Sequence, residues 1–194
     1  TGGQIAMAFS TQSWGAILAP VFIGLIADRY FNAEKILGVL HLLGSGLLFL
    51  MSQTNDFTVF YIYVFSYMVL YMPTLALVNS VSFNQMKDTA VEFPLIRTFG
   101  TIGWIISGLV ISYVFGWDAQ ESIVSGALSN TFKMVALASL VLGIFSFKLP
   151  KTPPFREARK SFSLKSALGW DALKLLKERN FLLFFIASIL ICIP

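Results

Sequence analysis

Residues 93–116 read FPLIRTFGTIGWIISGLVISYVFG and contain one charged side chain, Arg97. A helix needs about 20 mostly apolar residues to cross the hydrocarbon core of a bilayer, and this stretch exceeds that length. Its charge lies near one end, where a long cationic side chain can reach the membrane interface. Four further stretches are also mostly apolar, namely residues 5–27, 36–51, 57–83 and 128–149. The apolar core of residues 36–51 is somewhat short, but flanking residues can extend it.

The composition also indicates a chain that lies in lipid. Of the 194 residues, 56% are hydrophobic and 12% are charged, whereas a soluble domain carries roughly 45–50% apolar and about 25% charged residues. A sixth apolar stretch begins at Phe181 and reaches only Pro194, which is a rise of about 21 Å. The sequence therefore predicts an all-α polytopic membrane protein with five complete spanning helices and a truncated sixth.

Lysine and arginine are distributed unevenly between the connectors. Those that follow the first, third and fifth spans are basic, and the fifth alone holds nine of the 14 Lys and Arg residues. Because basic loops stay in the cytoplasm, we expect the odd-numbered loops on that side. Lys133, near the outer end of its span, can snorkel to the interface. The basic connectors are residues 28–35, 84–92 and 148–180, and the others are residues 52–56 and 117–127.

The long connector is predicted to be a cytoplasmic basic linker, residues 150–180. Within it, residues 163–177 place leucines on one face and lysines elsewhere, which predicts an amphipathic helix along the inner interface. Such a linker suits a hinge between two helical bundles. A solvated charged loop without a partner is the alternative, and the sequence leaves both open.

A short motif closes the first span. Gly24 permits close approach of another helix, and Asp28 and Arg29 can form charge pairs that break when helices move. The motif Gly24-Leu25-Ile26-Ala27-Asp28-Arg29 resembles the loop signature of the major facilitator superfamily, although the usual Gly-Arg continuation is absent. An ordinary interfacial charge pair would look the same.

Two further stretches narrow the resemblance. The first is residues 72–80, MPTLALVNS, and the second is residues 92–104, EFPLIRTFGTIGW. Together with residues 169–173, GWDAL, they resemble the nucleoside:proton symporter family within that superfamily. The resemblance covers nearly the whole chain, and the run from Phe93 to Gly103 is its most specific part.

The resemblance implies a major facilitator-type bundle and a chain that corresponds to an N-terminal half. On this basis residues 1–149 form the N-terminal bundle without the first family helix, and residues 181–194 begin the C-terminal bundle. The implied activity is nucleoside import by proton symport with alternating access in the bacterial inner membrane. A sugar-type facilitator, or a helical membrane sensor or enzyme that lost its soluble part, is the alternative.

Three side chains on one helix face are the candidate substrate-binding residues. Arg97, Thr101 and Trp104 fall within an arc of about 60° at 100° per residue. The guanidinium offers planar donors, the threonine offers a hydroxyl, and the indole offers a surface for base stacking. The family resemblance implies the same positions. Snorkelling of Arg97 and ordinary packing of Trp104 are the alternatives.

Other polar groups within the spans are weaker candidates. Asn79 is a possible substrate contact, although bonding between helices explains it equally well. His41 could relay protons, but a packing role is favoured over that.

No catalytic constellation, metal-ligand spacing or cofactor motif is visible, so we expect neither an enzyme nor a cofactor. The expected partners are a nucleoside, a coupling proton, the lipid bilayer and the C-terminal half of the same protein, with no nucleic acid. We expect the proton-carrying residue in that other half.

Overall fold

The computed structural model describes residues 1–22, 31–153 and 174–191. These residues form α-helices joined by short turns, and the described ranges contain no strand. The α-helices are α1 (Gly2–Phe22), α2 (Ala33–Met51), α3 (Phe57–Gln85), α4 (Thr89–Leu109), α5 (Gln120–Val124), α6 (Asn130–Ser146) and α7 (Arg179–Ile191). A π-helical segment, Val110–Phe115, continues α4, and 3-10 turns occupy Ala127–Ser129 and Lys174–Lys177.

The predicted spans are confirmed as helices. Within the described residues, four helical segments are long and apolar enough to cross a membrane, and they are Ala33–Met51, Phe57–Gln85, Thr89–Phe115 and Ala127–Ser146. The first predicted span corresponds to α1, whose 21 residues rise about 31 Å and which ends where the described range ends. The all-α polytopic fold predicted from the sequence is therefore confirmed.

Capping side chains fix where two of the spanning helices begin. Asp56 precedes α3, and its Oδ1 accepts from the Val59 N–H at 2.9 Å. Asp88 precedes α4 and accepts from the Ala90 N–H at 3.0 Å, while Glu92 Oε1 accepts from the Asp88 N–H at 3.2 Å. These bonds satisfy N–H groups that have no partner inside the helix.

The helices α2 and α6 pack closely along a seam of small residues. A Cβ atom added to Gly38 would lie 2.8 Å from the Phe147 ring and 3.0 Å from the Gly143 carbonyl oxygen. Ser45 Oγ donates to the Ala136 carbonyl oxygen at 2.7 Å. Small residues that allow close backbone approach, with serine hydroxyls bonding across the contact, are typical of helix packing in membranes.

The helix α3 lies against both α1 and α2. A Cβ atom on Gly15 of α1 would lie 2.7 Å from the backbone oxygen of Met68 in α3, so this contact also depends on a glycine. In contrast, no residue of α4 is buried within the described structure, and α4 contacts α3 only slightly. The face of α3 next to α4 is therefore left open as a cleft.

The motif at residues 24–29 and most of the predicted linker lie outside the described residues. Gly24, Asp28 and Arg29 belong to the first of these gaps, so the structure does not test the conformational role predicted for them. The predicted amphipathic helix is described only at its end, where Lys174–Lys177 form a 3-10 turn before α7 begins. The boundaries of the three predicted regions, residues 1–149, 150–180 and 181–194, stay predictions.

Candidate substrate site

A cavity of about 500 Å³ lies between α3 and α4. Its volume falls in the range of about 300–1,000 Å³ that is usual for small-molecule sites. All four candidate substrate-binding residues line it, and they come from both helices. The lining consists of Leu75, Val78, Asn79 and Ser82 from α3, and Phe93, Ile96, Arg97, Gly100, Thr101 and Trp104 from α4.

The α4 wall presents the face that the sequence predicted. Arg97, Thr101 and Trp104 stand at successive turns, and the Trp104 side chain is 79% exposed. Gly100 lies between them, and no atom lies within 4 Å of the position that its Cβ would occupy. The indole and the guanidinium therefore border open space, where a ligand can contact both.

The α3 wall adds an amide and a second hydroxyl. Asn79 and Ser82 are three residues apart, so they share a helix face that looks across at α4. The sequence analysis did not identify Ser82. The spacing of Ser82 from Asn79 indicates only that the two side chains share a helix face, and which face of α3 meets α4 depends on tertiary packing.

The Thr101 hydroxyl is oriented by its own helix. Its Oγ1 donates to the Arg97 carbonyl oxygen at 3.3 Å, which is a common arrangement for threonine in a helix. With its proton turned towards the backbone, the hydroxyl keeps its lone pairs for a ligand donor. Arg97, in contrast, has only donors, so the α4 wall can meet both an acceptor and a donor of one ligand.

An aromatic residue supports the Arg97 side chain. The guanidinium carbon lies 5.9 Å from the centroid of the Phe93 ring, one turn earlier in α4. The Phe93 ring in turn contacts Phe83 near the end of α3, with ring centroids 4.6 Å apart and a 44° angle between their planes. Sequence reasoning missed Phe93 because an apolar residue in an apolar helix carries no sign of a polar role.

A second cavity differs in character. It has a volume of about 240 Å³, is lined by α1, α2, α3 and α6, and is almost wholly apolar apart from Gln12 and the Tyr67 hydroxyl. A ligand there would find few groups to fix its orientation, which polar substrates need. The cavity between α3 and α4 is the stronger candidate site.

His41 lies outside both cavities, in the seam between α2 and α6. Its Nδ1 is 3.3 Å from Ser139 Oγ, and Ser139 Oγ also donates to the His41 carbonyl oxygen at 3.0 Å. This arrangement favours the packing role over the proton relay. Among the described residues, no group of three or more His, Cys, Asp or Glu residues could hold a metal ion.

Comparison with known proteins points to one family. The sequence profile of the nucleoside H+ symporter family matches residues 1–194. YegT of Escherichia coli strain K12, provisionally described as a nucleoside transporter, is 38% identical over 197 residues, and the match covers 100% of this chain and 45% of YegT. The xanthosine permease of the same organism is 32% identical, and the match covers 98% of this chain and 44% of the permease.

Solved structures agree with the sequence comparisons. The crystal structure of a mutant of the nucleoside transporter NupG superposes with a TM-score of 0.79 at 28% identity, covering 97% of this chain and 46% of that one. A second crystal structure of NupG gives a TM-score of 0.75 at 27% identity. The chain thus spans somewhat less than half the length of the relatives that it matches.

Proposed function

The chain belongs to the nucleoside H+ symporter family, and from that premise we propose that the full-length protein containing it imports nucleosides together with protons. The observation that carries this proposal is the cavity between α3 and α4, where Arg97, Thr101, Trp104 and Asn79 meet. A nucleoside combines a flat base with a polar sugar, and this lining combines a flat indole with polar groups of both hydrogen-bonding types.

Each side chain has a role that its chemistry supports. Trp104 stacks on the base, a contact that contributes roughly 1–3 kcal/mol per base in single-stranded nucleic-acid binders. Arg97 donates to carbonyl oxygens of the base or to sugar hydroxyl oxygens. Thr101 accepts from a sugar hydroxyl, since its own proton is directed to the Arg97 carbonyl oxygen. Asn79 can bond as donor or acceptor from the opposite wall.

Transport requires the site to open alternately to each side of the membrane. We infer that this chain supplies one bundle and that the remainder of the protein supplies the other, because the relatives are more than twice as long. Rocking of two bundles around a site at their interface gives alternating access. Gly24, Asp28 and Arg29 would act at the cytoplasmic end of this motion, and the linker, residues 150–180, would join the bundles.

The coupling proton needs a titratable group within the protein. Among the residues that the structure describes, the lining of the cavity between α3 and α4 includes no Asp, Glu or His. We therefore assign the proton carrier to the second bundle, as the sequence analysis expected.

The proposed location is the bacterial inner membrane, with the odd-numbered loops in the cytoplasm. The distribution of Lys and Arg between the connectors supports this orientation, because all the loop Lys and Arg residues lie in the odd-numbered connectors.

Two alternatives from the sequence lose support. The family and its relatives are permeases rather than enzymes or sensors, and the relatives' names refer to nucleosides rather than sugars. Substrate competition distinguishes a sugar-type facilitator from a nucleoside permease. Excess hexose would block transport by the sugar-type facilitator, whereas it would leave uptake of labelled uridine by a nucleoside permease unchanged.

Substitution of Arg97 tests the proposed site. In the full-length protein, Arg97→Ala should weaken uridine binding roughly ten- to hundredfold, because a charged hydrogen bond in a desolvated site is lost. Arg97→Lys should recover little of this loss, since an ammonium group does not reproduce the planar donors. The measurements are calorimetric uridine binding and uptake of labelled uridine with and without an uncoupler. Unchanged affinity in a normally expressed Arg97→Ala protein would show that Arg97 only snorkels to the interface.

A further inference from the structure

Arg97 has a flexible side chain, and an aromatic ring in the same cavity wall can restrict its motion. Arg97 is solvent-exposed at the cavity, so packing alone does not hold its guanidinium. Phe93, four residues earlier in α4, is half-buried and presents its ring 5.9 Å from the guanidinium carbon. A cation within about 6 Å of an aromatic centroid is attracted by the negative face of the ring.

The Phe93 ring is itself held in place from the other helix. Phe83 of α3 lies with its ring centroid 4.6 Å from that of Phe93, within the range of favourable aromatic pairs. Because α4 has few other contacts with α3, this pair is a main link between the two walls of the cavity. The position of the Arg97 support is thus tied to the position of α3.

We propose that Phe93 is a positioning residue of the substrate site, whose ring, fixed by Phe83, holds the Arg97 guanidinium in the orientation that meets the nucleoside. This proposal rests on the proposed function. It extends the site beyond the groups that contact the substrate by polar bonds, and it explains why an aromatic residue, rather than any apolar residue, stands one turn before the arginine.

A plain packing role for Phe93 makes different predictions. If the ring were only an apolar wall, nucleoside affinity would depend on the volume of the side chain and not on the electrostatic potential of the ring face. If the ring holds the cation, affinity should follow the electrostatic potential of the ring face at constant shape. Substitution of Phe93 by phenylalanines with one, two and three ring fluorines changes this potential stepwise with little change in size.

The experiment uses the full-length protein with fluorinated phenylalanine incorporated at position 93. Uridine affinity should fall stepwise with fluorination, and Phe93→Leu should lose about two- to thirtyfold, the range expected for a cation–π contact. Phe93→Tyr should stay near the unmodified protein. Phe99, which is 74% exposed on α4 and does not line the cavity, is the matched control and should show no dependence on fluorination.

A second arm separates this proposal from the proposed function. The rate at which phenylglyoxal modifies Arg97 in the absence of nucleoside, followed by mass spectrometry, reports on the guanidinium directly. It should rise with each fluorine at position 93. If Arg97→Ala leaves uridine binding intact, the proposed site fails, and this rate alone decides the role of Phe93. A modification rate and an affinity that are both independent of fluorination would overturn the positioning role.

Discussion

Trp104 is the side chain whose exposure most directly supports the proposed substrate site. A large aromatic residue that is 79% exposed beside a cavity containing an arginine has little to pack against in the described structure. If it stacks on a base, Trp104→Ala in the full-length protein should weaken nucleoside binding about five- to hundredfold. Trp104→Phe should keep most of the affinity, because a phenyl ring also stacks. Calorimetric titration with uridine and adenosine measures both effects.

The chain offers a matched control for this prediction. Trp14 on α1 is 54% exposed and lies outside the cavity between α3 and α4. Trp14→Ala should therefore leave nucleoside affinity unchanged at equal expression. Equal losses for Trp14→Ala and Trp104→Ala would assign both to general destabilisation rather than to stacking.

At the residue scale, the sequence predicted which side chains share one face of α4. It did not identify the residues whose place in the proposed site depends on contacts between two helices. Arg97, Thr101 and Trp104 could be predicted to share a face because helical geometry alone sets their alignment. Ser82 could not be assigned to the site, because the face of α3 that meets α4 depends on tertiary packing. Phe93 could not be assigned either, since its contacts with Phe83 and Arg97 follow from side-chain orientation.

At the scale of helices, the contact between α2 and α6 depends on the absence of side chains. Gly38→Ala would bring a methyl group to within 2.8 Å of the Phe147 ring and 3.0 Å of the Gly143 carbonyl oxygen. Relief of this overlap costs typically 1–3 kcal/mol, more than the gain in helix propensity of up to about 1 kcal/mol. We expect a lower melting temperature in detergent, measured by tryptophan fluorescence.

Gly46 in the same helix provides the comparison. A Cβ atom at Gly46 meets nothing within 4 Å, so Gly46→Ala should leave the melting temperature unchanged or raise it slightly through helix propensity. If both substitutions raised stability, the seam between α2 and α6 would be looser than the structure shows.

The start of α2 is joined to the segment after α6 by a buried carboxylate. Glu34 is 2% exposed, and its Oε2 accepts from the Thr152 N–H at 2.9 Å while its Oε1 accepts from Asn32 Nδ2 at 3.0 Å. The Ala33 N–H also donates to the Thr152 carbonyl oxygen at 3.1 Å. These bonds hold the first residues of the linker against the bundle.

Removal of this carboxylate should destabilise the protein. Glu34→Ala leaves the buried Thr152 N–H without its acceptor, which typically costs about 1–3 kcal/mol, whereas Glu34→Gln keeps one acceptor oxygen and should cost less. Proteolysis of the linker should also become faster in Glu34→Ala. The exposed Glu121 is the control, and Glu121→Ala should alter neither the melting temperature nor the proteolysis rate. No change in either quantity for Glu34→Ala would contradict the role of this contact.

The helices themselves could be predicted well, because an apolar run of spanning length must satisfy its backbone hydrogen bonds within the membrane, and an α-helix does so. Their ends were less predictable. The sequence placed the fifth span at residues 128–149, whereas α6 covers Asn130–Ser146 after a 3-10 turn. The short helix α5 and the π-helical end of α4 were not anticipated, because backbone bonding at helix ends depends on local contacts such as Ser112 Oγ donating to Asp118 Oδ2 at 2.6 Å.

At the scale of the molecule, the packing is uneven, as the proposed arrangement of two bundles would require. The helices α1, α2, α3 and α6 pack against one another, whereas none of the residues of α4 is buried within the described structure. The same helix carries Arg97, Thr101 and Trp104. A substrate between two bundles would contact this side of α4, which agrees with relatives more than twice as long as this chain.

The orientation of the whole protein in the membrane can be tested with single cysteines. In a full-length protein without Cys192, cysteine at Asn55 or Gln120, both exposed in connectors without Lys or Arg, should react in intact cells with a thiol reagent that cannot cross the membrane. Cysteine at the exposed Lys87, in a basic connector, should react only after the membrane is opened, because basic loops stay in the cytoplasm. Labelling of position 87 in intact cells, with protection of positions 55 and 120, would mean that the orientation is reversed.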